Sequence, residues 1–177
     1  MPFKVHYEIY DNKHGAPDYA TYDYTMARIE WNERKRNPRG MMWRLEQTVM
    51  PDGVLTKAEE YLFLVYRVRQ LTIQFRNDMT DKNKKVLLEH VRKLDDWNKT
   101  ISDHISTHPD YKPADEKSHS FYVIVKAWRD AYYERQHYCK NTTRAGYDNN
   151  VFREMTRKIR GFETEIDNYI KKEIKLI

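Results

Sequence analysis

Two carboxylate–histidine pairs have the spacing that comes nearest to a catalytic metal site. Glu116 and His119, like Glu134 and His137, stand three residues apart, which places a carboxylate and an imidazole on one helix face. Di-iron bundles use such pairs on two different helices, with a further glutamate from each of two others. Here both pairs belong to one predicted helix, where about 18 residues separate them by roughly 27 Å. They cannot share a metal ion, so we interpret them as two surface pairs.

A second candidate metal site is the pair His104 and His108, four residues apart as zinc ligands on a helix are. His108 precedes Pro109, where a helix should already be ending, and no glutamate follows His104 as the zinc-protease motif requires. Cys139 has no second cysteine at ligand spacing, and in a helix its neighbour His137 points away from it. We therefore predict no bound metal ion and no cofactor.

Three carboxylates close together near the end of the chain could in principle hold Mg²⁺; they are Glu163, Glu165 and Asp167. No matching acidic cluster stands on a neighbouring predicted helix, so we interpret them as an exposed charged face. The sequence also has no nucleophile elbow, glycine-rich phosphate loop or dinucleotide fingerprint. No catalytic residue is predicted and the protein is read as non-enzymatic, with a site assembled from distant segments as the alternative.

Positive charge is concentrated in two stretches of the chain. The net charge is +5, whereas residues 51–110 hold ten basic and ten acidic residues. The first stretch, Arg28–Arg44, holds six basic and two acidic residues, with a tryptophan on each side of its basic loop. Exposed loops often carry function, so we predict a nucleic-acid contact here. Its candidate residues are Arg34, Lys35, Arg36, Arg39 and Arg44, with Trp31 and Trp43 as aromatic contacts.

The second stretch, Lys126–Arg160, holds nine basic and four acidic residues and straddles a predicted turn between two helices. Arg153, Arg157 and Arg160 recur at i, i+4 and i+7, and at about 100° per residue this stripe faces away from the apolar one. Arginines interleaved with aromatic rings suit phosphate backbones and unstacked bases, although a solvated helix face has the same pattern. The other candidates are Lys140 and Arg144, with Tyr138 and Tyr147 as aromatic contacts.

Four long amphipathic segments must position these residues. The spacing of apolar side chains predicts helices over residues 56–76, 82–106, 114–139 and 150–174. Leu71, Ile73 and Phe75 alternate and could instead end the first segment as a strand. We favour the helix because no glycine or proline interrupts about 20 residues. With short connections between them, the segments predict a mainly α fold, an antiparallel bundle of four long helices.

The first 50 residues are less regular. Apolar side chains alternate over Phe3–Ile9, as in a half-buried strand or an extended arm. A predicted amphipathic helix follows, with Tyr22, Met26 and Ile29 on its apolar face. Trp43–Val49 again alternates and leads into a Pro-Asp-Gly turn. A short β-hairpin beside the bundle is therefore an alternative to the arm.

Length and composition limit the class of protein. A chain of 177 residues is most simply one domain, here with an irregular segment over residues 1–50 and the bundle over 51–177. A single cysteine excludes an internal disulfide, and no apolar run approaches the roughly 18 residues that a membrane span needs. These features predict a soluble, cytoplasmic protein without a membrane partner. The bias toward Lys, Asn, Ile and Tyr is usual in AT-rich genomes, including many viral ones.

The sequence favours a non-enzymatic, basic, helical protein that binds nucleic acid or another polyanion. The alternative from a different class is a structural or adaptor subunit of a protein assembly, a virion if the composition reflects a viral source. In that case the N-terminal arm and the exposed aromatic side chains would contact a protein partner.

Overall fold

The structure, a computed structural model, describes residues 2–11, 15–36, 42–108 and 116–177, the side chains of residues 116–119 excepted. Most of the described residues lie in helices, which confirms the predicted mainly α class. The described residues form five helices and a three-stranded antiparallel sheet. They divide into two compact units, the first comprising Met1–Thr56 with Ile170–Ile177 and the second comprising Lys57–Tyr169.

The first unit is built on a small sheet with strand order β2-β1-β3. Its strands are β1 (Phe3–Asp11), β2 (Tyr19–Thr21) and β3 (Trp43–Pro51). Of the two alternatives for the alternating N-terminal segments, the structure shows strands and not an extended arm: odd-numbered side chains of β1 are buried and the intervening ones are not. Tyr7 stands opposite both Gln47 of β3 and Thr21 of β2. Because opposing residues project from the same face of a sheet, all three strands contribute to the face on which the buried side chains of β1 lie.

Helix α1 (Tyr24–Arg36) lies within the predicted helical segment but turns a different face inward. The predicted apolar face is wrong: its members are the exposed residues Tyr22, Met26 and Ile29. Ala27 is the fully buried residue of α1. The Asp23 carboxylate accepts a hydrogen bond from the backbone N–H of Met26 (2.8 Å) and so caps the helix. Tyr22 therefore precedes the helix and cannot share its face.

Residues 170–177 complete the first unit by packing on the sheet. The Tyr7 hydroxyl donates a hydrogen bond to the backbone carbonyl of Lys175 (2.8 Å). The Gln47 amide oxygen accepts one from the backbone N–H of Ile177 (2.7 Å). Ile170 and Ile174 are buried. The sheet thus obtains part of its core from a segment far along the chain, which no local sequence pattern indicates.

The second unit is the helical bundle. Its helices are α2 (Lys57–Asn77), α3 (Asp81–Thr107), α4 (Glu116–Asn141) and α5 (Asn149–Ile174), whose last turn belongs to the first unit. These bounds confirm the four predicted helices. The alternative reading of Leu71–Phe75 as a strand is excluded, because these residues lie inside α2.

Neighbouring helices run antiparallel, as the contacts along α2 and α3 show. Near the start of α2 the Tyr61 hydroxyl donates to the side-chain oxygen of Asn98, near the end of α3 (2.8 Å). Near the end of α2 the Gln74 amide donates to Asn83, near the start of α3 (3.1 Å). The short connection of residues 78–80 requires this arrangement.

Helices α4 and α5 form a second antiparallel pair. Phe121 near the start of α4 stacks on Tyr169 of α5, with 4.2 Å between ring centroids. Farther along, Arg135 donates a hydrogen bond to the Thr156 hydroxyl (3.1 Å). The two basic arms of the second stretch therefore lie side by side.

A buried arginine links α2 to α5. Arg69 is 6% exposed and donates to both carboxylate oxygens of Asp167, at 3.1 and 2.8 Å. Glu163 is 7% exposed, and its Oε1 lies 3.5 Å from Arg69 Nη1 and 3.1 Å from Arg76 Nη2. The interpretation as an exposed charged face is therefore wrong for Glu163, whereas Glu165 is exposed and the Asp167 side chain stays 40% exposed while it pairs with Arg69. Burying Arg69 requires counter-charges, which α5 supplies.

A second buried arginine, Arg129, links α4 to α3. Its Nε donates to a carboxylate oxygen of Asp95 (3.1 Å), and the Tyr133 hydroxyl donates to the other oxygen (2.9 Å). Such a pair aligns two helices because its geometry admits few alternatives.

The core of the bundle does not reach the end where α4 turns into α5. In the two helices that run toward this end, the last buried residues of the described chain are Leu71 on α2 and Ala131 on α4. In the two helices that run away from it, the first buried residues are Leu94 on α3 and Ile159 on α5. Beyond these positions the side chains are half-buried or exposed. The predicted basic hairpin lies in this part of the bundle.

Candidate functional site

The turn between α4 and α5 is held by its own side chains. The Tyr138 hydroxyl accepts a hydrogen bond from the backbone N–H of Asp148 (2.8 Å). The Asp148 carboxylate in turn accepts one from the backbone N–H of Asn150 (2.7 Å), which caps α5. The Gly146 backbone N–H donates to the carbonyl of Thr143 (3.0 Å). The path of the turn is therefore fixed by these hydrogen bonds.

A row of aromatic rings lies along this hairpin. Tyr147 contacts Tyr138 on one side and Phe152 on the other, with centroid distances of 5.7 and 6.0 Å. The Arg135 guanidinium lies 5.7 Å from the Phe152 ring and 5.4 Å from the Tyr132 ring. Tyr147 is still 41% exposed, so part of the row is accessible to a ligand.

We define residues 134–158 as the hairpin tip. Within the described chain, the hydrogen bonds, ion pairs and ring contacts of these residues join them to α4, α5 or the turn between them, as Arg135–Thr156 and Glu134–Lys158 do. None of the hairpin-tip residues is fully buried. A shallow depression of about 350 Å³ lies on it, lined by Arg135, Gln136, Cys139, Lys140 and Phe152.

The cations of the hairpin tip differ in how far other groups neutralise them. Arg157 pairs with Glu154 (3.2 Å), and Lys158 lies 3.9 Å from Glu134; all four side chains are mostly exposed, so both pairs are weak. The predicted residues Lys140, Arg144 and Arg153, and Arg160 just beyond the hairpin tip, are exposed, and the structure shows no ion pair between them and any described residue. Together they form the cationic surface of this end of the bundle.

In the first basic stretch, Arg34 holds the first unit together. Its guanidinium forms ion pairs with Asp18 (2.6 Å) and with Glu30, one helical turn earlier. It also lies 5.1 Å from the ring of Trp43. Burial alone would lower the pKa of Arg34, but the two carboxylates outweigh it and raise that pKa. Two carboxylates of the same unit therefore balance the charge of Arg34.

The other residues of that stretch are placed less favourably for one shared ligand. Lys35 lies 5.5 Å from the ring of Trp31 on the same helix, and Arg36 is exposed at the end of α1. Arg44 is exposed on β3 and paired with a glutamate of its own strand. Arg39 lies outside the described residues. The two basic stretches belong to different units, and the nucleic-acid contact assigned to each stays a prediction.

The metal-ligand candidates do not form a site within the described part of the chain. The rings of His104 and His108 are 4.3 Å apart at the exposed end of α3. The side chains of Glu116 and His119 lie outside the described residues. Among the residues that are described, no three His, Cys, Asp or Glu side chains come close enough to hold an ion.

Two features of the hairpin tip are absent from the sequence prediction. Arg135 and Phe152 line the depression, and Phe152 extends the row of rings. The sequence could have indicated both residues. Arg135 stands three residues before Tyr138, which places the two on one helix face, and Phe152 begins the apolar stripe of α5.

Comparisons with protein-family models, curated proteins and solved structures found no match to this chain. No helix among the described residues is both long and apolar enough to cross a membrane.

Proposed function

We propose that this protein binds nucleic acid through the hairpin tip. The observation that carries the proposal is a group of three exposed cations without an ion pair to any described residue: Lys140, Arg144 and Arg153. They lie on a hairpin whose turn is closed by other groups, Tyr138, Asp148 and Gly146, and Lys140 lines the same depression as Phe152. A cation with no internal partner keeps its full charge for an external anion, and binding phosphate breaks no contact within the fold.

The chemistry of the surface favours nucleic acid over an acidic protein. Guanidinium and ammonium groups neutralise phosphates and release condensed counterions. An exposed tyrosine such as Tyr147 can contact a sugar or stack on an unpaired base. Of the nine charged residues in the hairpin tip, six are basic and three are acidic, so this region attracts a polyanion even with its weak internal pairs intact.

The proposal is tested by binding of fluorescently labelled single-stranded and duplex oligonucleotides over a series of salt concentrations. If about four phosphates are neutralised, log K against log salt should have a slope near −3.6 for duplex DNA. Replacing the three cations together (K140Q/R144Q/R153Q) removes up to three of these contacts and should bring the slope close to −0.9. Thermal stability should hardly change, because the three side chains are exposed.

A matched control removes the same charge from the same unit. Lys84, Lys85 and Lys93 are exposed on α3, and K84Q/K85Q/K93Q should keep most of the affinity and most of the slope. If both triple variants weaken binding equally, the interaction depends on net charge and not on the hairpin tip. If the parent protein binds neither oligonucleotide at low salt, the proposed function is wrong.

A further inference from the structure

Among the described residues, strand β3 is an unpaired edge of the sheet. It has nine residues, lies last in the order β2-β1-β3, and packs against β1 beside it and α1 beneath it. An edge strand of this length presents a row of backbone donors and acceptors that another strand can pair with.

The register shows which backbone groups of β3 point outward. The backbone N–H of Asp52 donates to the carbonyl of Pro2 (2.8 Å), and this pair continues the β1–β3 register. Because hydrogen-bonded pairs alternate along an antiparallel ladder, the even-numbered residues of β3 bond to β1. The odd-numbered residues Trp43, Leu45 and Gln47 direct their backbone N–H and C=O groups to the open edge. Within the described chain, no hydrogen bond to these outward groups is present.

The side chains on the solvent face of β3 are complementary to themselves. Arg44 and Glu46 stand on either side of Leu45, are 59% and 46% exposed, and form an ion pair of 3.0 Å. When two copies of the strand pair antiparallel about a two-fold axis at Leu45, Arg44 of each copy faces Glu46 of the other. Both contacts fall in non-hydrogen-bonded pairs, where opposing side chains are closest. The result is a ring of four alternating charges.

We propose that β3 is a self-association surface, through which two copies of this chain join their sheets into one of six strands. The pairing runs from Met42 to Thr48 of each copy with Leu45 at its centre. Charge selects this register over its neighbours. An axis at Glu46 would oppose two glutamates, and an axis at Gln47 would place Arg44 against the apolar Met50. A contact of a single strand pair is small, so we expect a dimer that dissociates on dilution.

The test is sedimentation equilibrium of the full chain over a range of concentrations, with charge-exchange variants. Arg44→Glu replaces two attractive contacts across the axis by two repulsive ones and should raise the dimer dissociation constant about tenfold; Glu46→Arg should do the same. The double exchange R44E/E46R recreates both cross-axis pairs and should restore the parent value. Lys4→Glu changes an exposed charge on the central strand β1, whose partner Asp52 lies beyond the segment Met42–Thr48; this variant is the control and should leave association unchanged.

Each outcome decides the proposal. Weakening by both single exchanges with recovery in the double variant supports pairing about Leu45. A parent protein that is monomeric at every concentration overturns it, as does a dimer that none of the exchanges affects. If the double variant stays as weak as the single ones, the charges do not face each other and the register is wrong.

Discussion

Replacing Glu163 by glutamine should destabilise the bundle by about 2 kcal/mol, even though the side chain keeps its size. The carboxylate is 7% exposed and is a counter-charge to two arginines. Arg76 is 48% exposed, so water can replace this partner and its loss costs little. Arg69 is buried and would retain Asp167 alone, so most of the cost comes from this guanidinium. Complete removal of its partners would cost more, about 3–5 kcal/mol.

The nearby residue Glu165 supplies the control. It stands two positions along the same helix, carries the same charge and is exposed. Glu165→Gln should therefore change the free energy of unfolding by less than about 0.5 kcal/mol. The pair of variants separates the loss of a negative charge on α5 from the loss of this particular contact.

The assay is equilibrium unfolding in urea followed by circular dichroism, with the midpoint and slope fitted for each variant. A double-mutant cycle with Arg69→Met should show coupling, because each substitution costs less stability when the other partner has already been removed. Equal stability of Glu163→Gln and Glu165→Gln would refute the reasoning. In that case the carboxylate of Glu163 would be solvated, as the sequence alone predicts.

Two further predictions concern the first unit. Tyr7→Phe should cost about 1 kcal/mol at neutral pH by removing the hydrogen bond to the carbonyl of Lys175. Burial raises the pKa of Tyr7 from 10.0 to about 12. The stability that its neutral hydroxyl contributes is therefore complete below pH 10 and is lost as the pH rises toward 12. In urea unfolding across this range, the free energy of unfolding should fall less for Tyr7→Phe than for the parent protein. On α1, Ala27→Leu should destabilise the protein by about 1–3 kcal/mol because Ala27 is fully buried and the added methyl groups must displace packed neighbours. Ile29→Ser, at an exposed position, should change stability by less than about 0.5 kcal/mol. Thermal unfolding checks both, and the opposite ranking would show that the inward face of α1 is the one predicted from its apolar residues.

The candidate site was partly visible in the sequence, for local reasons. Arg153 and Arg160 lie off the apolar stripe of α5, so helical periodicity alone places them on the exposed side. Their nearness to Lys140 follows from the short turn, which requires α4 and α5 to lie side by side. What periodicity could not predict is how far each charge is neutralised. Arg34 stands in an equally basic stretch, yet a carboxylate 16 residues away balances part of its charge.

The sequence by itself determined the elements whose evidence is local. The four bundle helices follow from apolar spacing over three to four residues, because this pattern reports one face turned away from water. Alternation over two marked the segments of β1 and β3 as strands or an extended arm, and the sheet decided between these alternatives. The tertiary structure alone decided which groups meet across long separations. Arg69 pairs with Asp167, 98 residues away, and Tyr7 pairs with the carbonyl of Lys175, 168 residues away. A side chain's own neighbours in sequence indicate that it is charged or apolar. Whether it ends in water or against a partner depends on which element packs over it, and that is settled by the whole chain finding the arrangement that buries the most apolar surface while leaving few charges unbalanced.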